Sequence, residues 1–369
     1  MPQLDLIRHQ HPHYAAIRIV PDSSMASCNL AKPRKRRPIT IRLLLRSRMR
    51  SLCRIFLIIQ LFCISPGTAA QAQVRSKIRI ATASPSLSYL PIYTAVKKGF
   101  FAKRGFDVEM IQMSASLTAP ALLNRAVDYT TIPSTIATAA ARGAPAKVIF
   151  FASVKLQHML VSRPEIAAVN DLAGKRIVAA GFGNLTSYEV QFLIDRYRLG
   201  PNTTLVSAPS STDRLIALQK GLAEAAIIAA PADLKGEEMG LKRLLHMGTI
   251  LQIPQAGLAA TDEKLKTKRG EVIEVLKASI EGLEYTLSDR EDNSAIIAKW
   301  MALNASQGVR AYDSVKDTFS RNGIPTDEQS KAYIAMLAAT AGVSPDLKPE
   351  MIFDFSLAAA AAKELAAKR

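Results

Sequence analysis

Between residues 77 and 260 the sequence switches repeatedly between alternating and helical patterning, with short connections. That switching restricts the chain to a mostly parallel sheet covered by helices. Residues 77–83 (Lys-Ile-Arg-Ile-Ala-Thr-Ala) alternate apolar and polar, and a hydroxyl-rich loop follows. Residues 90–103 predict a helix with Pro91 in its first turn, apolar positions at Ile92, Val96 and Phe100, and Gly105 just past its end. A strand at 106–113, a helix at 117–127, a strand at 129–132, a helix at 134–142 and a strand at 146–154 complete the first block.

The same order restarts after Asp171-Leu172-Ala173-Gly174-Lys175, with strands at 176–180, 204–208 and 225–229 and helices at 186–198 and 212–220. An internal echo links the blocks. Leu122-Leu123-Asn124-Arg125-Ala126-Val127-Asp128, a strand and Pro133 resemble Ala217-Leu218-Gln219-Lys220-Gly221-Leu222-Ala223-Glu224, a strand and Pro231. Two similarly built lobes account for it. Beyond Leu258 the pattern is almost wholly helical, with segments at 269–288, 294–303, 309–321, 327–340 and 355–367. Tyr312, Phe319, Ile334 and Leu337 fall at helical spacing and are assigned to the core.

A net charge of +17 would point towards nucleic acid or an anionic membrane if it were spread over the fold, but it is not. Residues 1–72 hold twelve Lys and Arg against two acids, a net of +10, and the remaining 297 positions carry +7. Residues 49–72 run from a basic start through an apolar core to Ala70-Gln71-Ala72, the order of a secretory signal peptide. The apolar core, residues 55–64, is too short to span a bilayer, which takes about 20 residues. Cleavage is expected after Ala72 and export to the periplasm. Residues 1–48 are read as a basic extension, disordered, upstream of a true start at Met49 or a long basic n-region, with a nuclear-localisation or nucleic-acid arm as the competing reading. The basic run at 264–269 lacks interleaved aromatic residues and is assigned to a solvated face, with no nucleic-acid partner.

All three cysteines lie in the leader, so thiolate metal sites, disulfides and cysteine nucleophiles are excluded from the rest. His158 and His246 are isolated in sequence and are read as structural; no metal site, catalytic residue or cofactor is expected. Gly181-Phe182-Gly183 lies between a strand and a helix, but Thr186 occupies the third glycine position of a dinucleotide fingerprint. The loop keeps the amide donors of a helix start, with Asn184, Thr186 and Ser187 adding side-chain groups. An ordinary N-cap by Asn184 or Thr186 is the competing reading. Loops at 84–89, 132–135 and 229–233 also follow strand ends, where ligands collect in parallel sheets.

Leu90-Pro91-Ile92-Tyr93-Thr94-Ala95-Val96-Lys97-Lys98-Gly99-Phe100-Phe101-Ala102-Lys103-Arg104-Gly105-Phe106-Asp107-Val108-Glu109 resembles the opening motif of the nitrate, sulfonate, taurine and thiamine-precursor substrate-binding proteins of ABC importers, the SsuA-like superfamily. Asp171-Leu172-Ala173-Gly174-Lys175-Arg176-Ile177 and Gly257-Leu258-Ala259-Ala260-Thr261-Asp262-Glu263 resemble its later signatures, so the likeness covers residues 77–303. It implies a type II periplasmic-binding-protein fold: two α/β lobes, two crossover strands near 158–163 and 254–260, and a helical C-terminal part. Lobe 1 is then 77–160 plus 258–369, and lobe 2 is 161–257. Position 125 is Arg where relatives often have glycine.

Carried onto this chain, the family's contacts fall on Ser84, Ser86, Ser88 and Tyr89, on Pro133 and Ser134, on Gly183, Asn184, Thr186 and Ser187, and on Pro231 and Asp233. These loops show no obvious arginine pair for an oxyanion. The resemblance implies a monomeric, non-enzymatic solute-binding protein that closes around a small polar or anionic molecule and delivers it to an ABC permease and ATPase. The alternatives are a thiamine-pyrimidine synthase or lyase-like enzyme of the same fold, or a periplasmic ligand sensor. The synthase uses a cysteine-rich iron motif that is missing after residue 72.

Overall fold

The computed structural model describes residues 75–83, 85–181 and 184–367. The basic extension, the expected signal peptide and its cleavage site, Ser84, and Gly183 lie outside the described residues.

Among the described residues, ten strands form two five-stranded sheets. The first contains β1 (Ser76–Thr82), β2 (Phe106–Gln112), β3 (Tyr129–Thr130), β4 (Ala146–Ser153) and the late strand β10 (Ala256–Thr261), in the order β2-β1-β3-β10-β4. The second contains β5 (His158–Ser162), β6 (Arg176–Ala179), β7 (Thr204–Ser207), β8 (Ala225–Ala229) and β9 (Lys242–His246), in the order β7-β6-β8-β5-β9. In each sheet one strand runs against its two neighbours, β10 in the first and β5 in the second, and the other four are parallel. The sheets are thus built alike, with β3 and β8, the strands of the sequence echo, each at the centre.

The chain passes from the first sheet to the second between Ser153 and His158, and returns between His246 and Ala256. β5 lies wholly in the second sheet and β10 wholly in the first, each wedged between strands of the sheet it enters.

The fold is mixed α/β, and its core residues explain the patterning. Strands β4 and β8 are nearly continuous apolar runs because helices cover both faces: Val148, Ile149, Phe150 and Phe151 are buried, as are Ile227 and Ile228. Each such side chain contributes about 1.5–3 kcal/mol by leaving water. The C-terminal helices close the first sheet. The long helix Arg269–Ser288 packs on the helices Leu90–Lys97 and Ser356–Ala366. Tyr312, Phe319, Ile334 and Leu337 are all buried, and the Tyr312 hydroxyl donates to the Thr286 carbonyl at 2.7 Å.

Some expectations shift. The helix expected over 90–103 is two, Leu90–Lys97 and Phe100–Lys103, separated at Gly99, where φ is 74°. The helix expected over 117–127 ends at Leu123, because Arg125 turns into the left-handed region at φ 60°. Helices Ala232–Glu238 and Asp262–Thr267 and strand β9 are additional. The basic run is not wholly solvated: Lys264 lies over the Tyr129 ring, with its Nζ 3.0 Å from Asp128 and 2.7 Å from Glu271.

Candidate functional site

A cleft of about 500 Å³ opens where the carboxyl ends of β1, β3, β7 and β8 meet the two passages between the sheets. This is where a parallel sheet leaves backbone amides and helix starts unpaired. From the first sheet come Ser86, Ser88 and Tyr89 after β1, and Thr131, Ile132 and Ser134 after β3. From the second come Ser210, Ser211, Thr212 and Arg214 after β7, and Ala230 and Pro231 after β8. His158 and Gln255, one on each passage, also line it.

The hydroxyls of the first loop are ordered by one another. The Ser86 side chain caps the short turn Leu87–Tyr89 by accepting the Ser88 amide at 3.3 Å, and the two hydroxyls lie 2.9 Å apart. Tyr89 packs edge-on against Trp300 with ring centres 5.4 Å apart, and burial pushes its phenol pKa up. Pro133 is buried as the first residue of the helix Pro133–Ala141, which presents Ser134 to the cleft.

The expected loop at 184–187 is used differently. Asn184 accepts the Thr186 hydroxyl at 2.7 Å and the Ser187 amide at 3.1 Å, and donates to the Gly181 carbonyl at 2.9 Å. Thr186 accepts the Ala180 amide at 2.9 Å. These polar groups therefore fasten the strand end to the helix Leu185–Tyr197, and it is Leu185 that lines the cleft. Ser187 opens instead on a second cavity of about 550 Å³, beside Tyr188, Phe192 and Thr340. Asp233 is also off the cleft wall. It is 1% exposed and 2.9 Å from Arg243, and burial pushes its carboxyl pKa up despite that cation.

Three groups outside the expected contact residues define the chemistry of the second wall. His158, expected to be merely structural, sits on the cleft with its Nδ1 2.5 Å from Oε1 of the fully buried Glu189. The Gln255 side-chain oxygen accepts the Gln157 amide at 2.9 Å, so its NH₂ group is the one placed 3.2 Å from His158 Nε2. Nδ1 then donates to Glu189, and Nε2 accepts from Gln255. Arg214, in the first turn of the helix Ser211–Gln219, is 5% exposed. No Asp or Glu is among the described residues lining the cleft. The signal that could have found this wall is Ser210-Ser211-Thr212, a hydroxyl run after a strand like that at 84–88.

Several known proteins are similar to this chain. YtlA of Bacillus subtilis (strain 168), named as a binding protein, is 26% identical over 138 residues, 36% of this chain, and the chain spans 41% of the length of that curated relative. The periplasmic aliphatic sulphonate binding protein SsuA from Escherichia coli superposes with a TM-score of 0.64 at 16% identity, over 77% of this chain and 99% of that one. The periplasmic nitrate-binding protein NrtA from Synechocystis PCC 6803 gives 0.64 at 14% identity, over 79% of this chain and 89% of that one. The fold is therefore that of periplasmic binding proteins. Residues 86–292, more than half of the sequence and including the cleft loops from Ser86 to Gln255, match the NMT1/THI5 like family, and the chain belongs to it.

Proposed function

We propose that the protein is an extracytoplasmic solute-binding protein of an ABC importer, capturing a small polar or anionic organic molecule between two lobes. The observation that carries this reading is the cleft itself, whose walls come from strand ends of both sheets and from both passages between them. A ligand touching both walls is held fully only when they approach, so binding shifts a hinge equilibrium towards closure. We assign lobe 1 to 77–160 plus 258–369 and lobe 2 to 161–257. The relatives support the reading: one is named for sulphonate, one for nitrate and one as a binding protein. No enzymatic step is assigned.

Residues 49–72 are proposed to direct export to the periplasm, where the partners are a membrane permease and its ATPase. Thermal melting of residues 73–369 against small-molecule panels tests the function. A true ligand raises Tm with concentration, and small-angle scattering shows a smaller radius of gyration in its presence. A chain that melts identically with every solute, including pooled cell extract, does not perform this function.

A further inference from the structure

The second wall holds a buried cation. Arg214 lines the cleft at 5% exposure. Its Nη1 donates weakly to the Ala208 carbonyl at 3.4 Å, and its Nη2 donates to Ser211 Oγ at 3.0 Å. Its Nε is buried without a partner. No carboxylate lies within 4 Å of the guanidinium among the described residues; Glu189 and Asp213 act on it only from longer range. A buried guanidinium N–H left unmade is costly, and the Nε and Nη2 edge is the side that grips two coplanar oxygens.

The surroundings favour the same group. Ser210 caps the helix and takes the Asp213 amide at 3.0 Å, which leaves the Ser211 and Thr212 amides as open first-turn donors. Ser211 Oγ accepts both Arg214 and the Ala229 amide at 3.2 Å, so its own proton is available to an acceptor in the cleft. Across the cleft, Ser86, Ser88, Thr131 and Ser134 supply hydroxyls and no charge.

We infer that the ligand is a monocarboxylate whose carboxylate is held by the Arg214 guanidinium, with Ser211 beside it, while an uncharged body lies against the hydroxyls of the first wall. This deepens the solute-binding reading and rests on it. A single cation with Glu189 buried nearby suits one negative charge and disfavours a dianion.

Matched probe sets on two scaffolds test it: benzoate, benzamide, benzylamine and benzenesulfonate, and propionate, propionamide, propylamine and ethanesulfonate, each titrated with Tm and calorimetry as readouts. The carboxylate of at least one set is expected to bind at least about tenfold more tightly than its amide, amine and sulfonate. Arg214→Gln is expected to weaken it about a hundredfold and Arg214→Lys about tenfold. Should Arg214→Gln fail to fold, Arg214→Lys and Ser211→Ala carry the test, with unliganded melting as the control. An amide, amine or sulfonate that equals or exceeds its carboxylate overturns the inference and leaves solute binding intact, as does an Arg214 variant that binds benzoate or propionate unchanged. Silence from every probe and from pooled extract overturns both.

Discussion

Asp128 and Glu224 hold the same post in the two sheets. Each immediately precedes the central strand and accepts a backbone N–H from an arginine on the adjacent parallel strand, Asp128 from Arg79 at 2.8 Å and Glu224 from Arg176 at 2.9 Å. Arg176 adds a guanidinium contact to Glu224 at 2.9 Å, and this partner holds the Glu224 carboxyl below its ordinary value of 4.5. A depressed carboxyl pKa means that the unfolded chain binds the proton more readily. Glu224 therefore contributes stability that is present above pH 4.5 and is lost as pH falls through the lower folded value. Urea melts between about pH 5 and pH 3 should show a shallower loss of stability in Glu224→Gln than in the parent. Parallel curves would mean that the contact is too well solvated to matter.

The residue three places earlier in each echo also corresponds: Arg125 at φ 60° and Gly221 at φ 70°. An L side chain in this region costs about 1–2 kcal/mol, and glycine avoids that cost. A Cβ at Gly221 would also stand 2.6 Å from Arg163 Nη1. Gly221→Ala is expected to lose about 1–2 kcal/mol by chemical denaturation. Arg125→Gly should be neutral or stabilising by up to about 1 kcal/mol, because relief of the backbone offsets the freer unfolded chain. If both substitutions cost the same, the two turns are not equivalent.

These correspondences were legible in the sequence because periodicity and turn residues are local properties. Parallel strands, covering helices and the carboxyl-end loops with Ser86, Ser88, Ser134 and Pro231 follow from the same local rules. The second wall was not legible, because its partners are distant along the chain. Glu189 is 31 positions from His158 and Gln255 is 97, and each alone looks like a surface or core residue. Arg214 on an amphipathic helix resembles any solvent-facing cation until the fold buries it. Strand β9 was hidden for another reason: at the sheet edge it is half-buried and begins with Lys242 and Arg243, so it has neither alternation nor an apolar run.

The His158 and Glu189 contact is a buried one on a cleft wall, so its removal should be read in stability as well as in binding. His158→Ala would leave Glu189, which is fully buried, with neither carboxylate oxygen hydrogen-bonded. Stripping one partner from such a pair costs about 3–5 kcal/mol. The double variant His158→Ala with Glu189→Leu should recover much of that, since an apolar side chain needs no partner. Denaturant midpoints of the two single variants and the double variant measure the coupling. Additive losses would show that Glu189 is stabilised chiefly by something other than His158.

Gly257 tests how the return passage joins the first sheet. It sits in β10, between β3 and β4, at a register shift in the pairing with β4. A Cβ there would lie 1.8 Å from the Phe150 carbonyl oxygen and 2.8 Å from the Phe151 Cα, both backbone atoms that cannot rotate away. The strand pair would have to separate, and its neighbours Phe150, Phe151 and Leu258 are core residues with no accessible surface. Gly257→Ala is therefore expected to lose about 3 kcal/mol, at the upper end of what overpacking costs, although alanine is the smallest side chain that can be added. Because β10 follows directly on Gln255, the same substitution should also loosen the hydrogen bond from Gln255 to His158 and weaken solute binding in the folded fraction. Gly270→Ala is the matched control, since a Cβ there meets nothing within 4 Å. Equal midpoints for the two variants would show that β4 and β10 can part without loss.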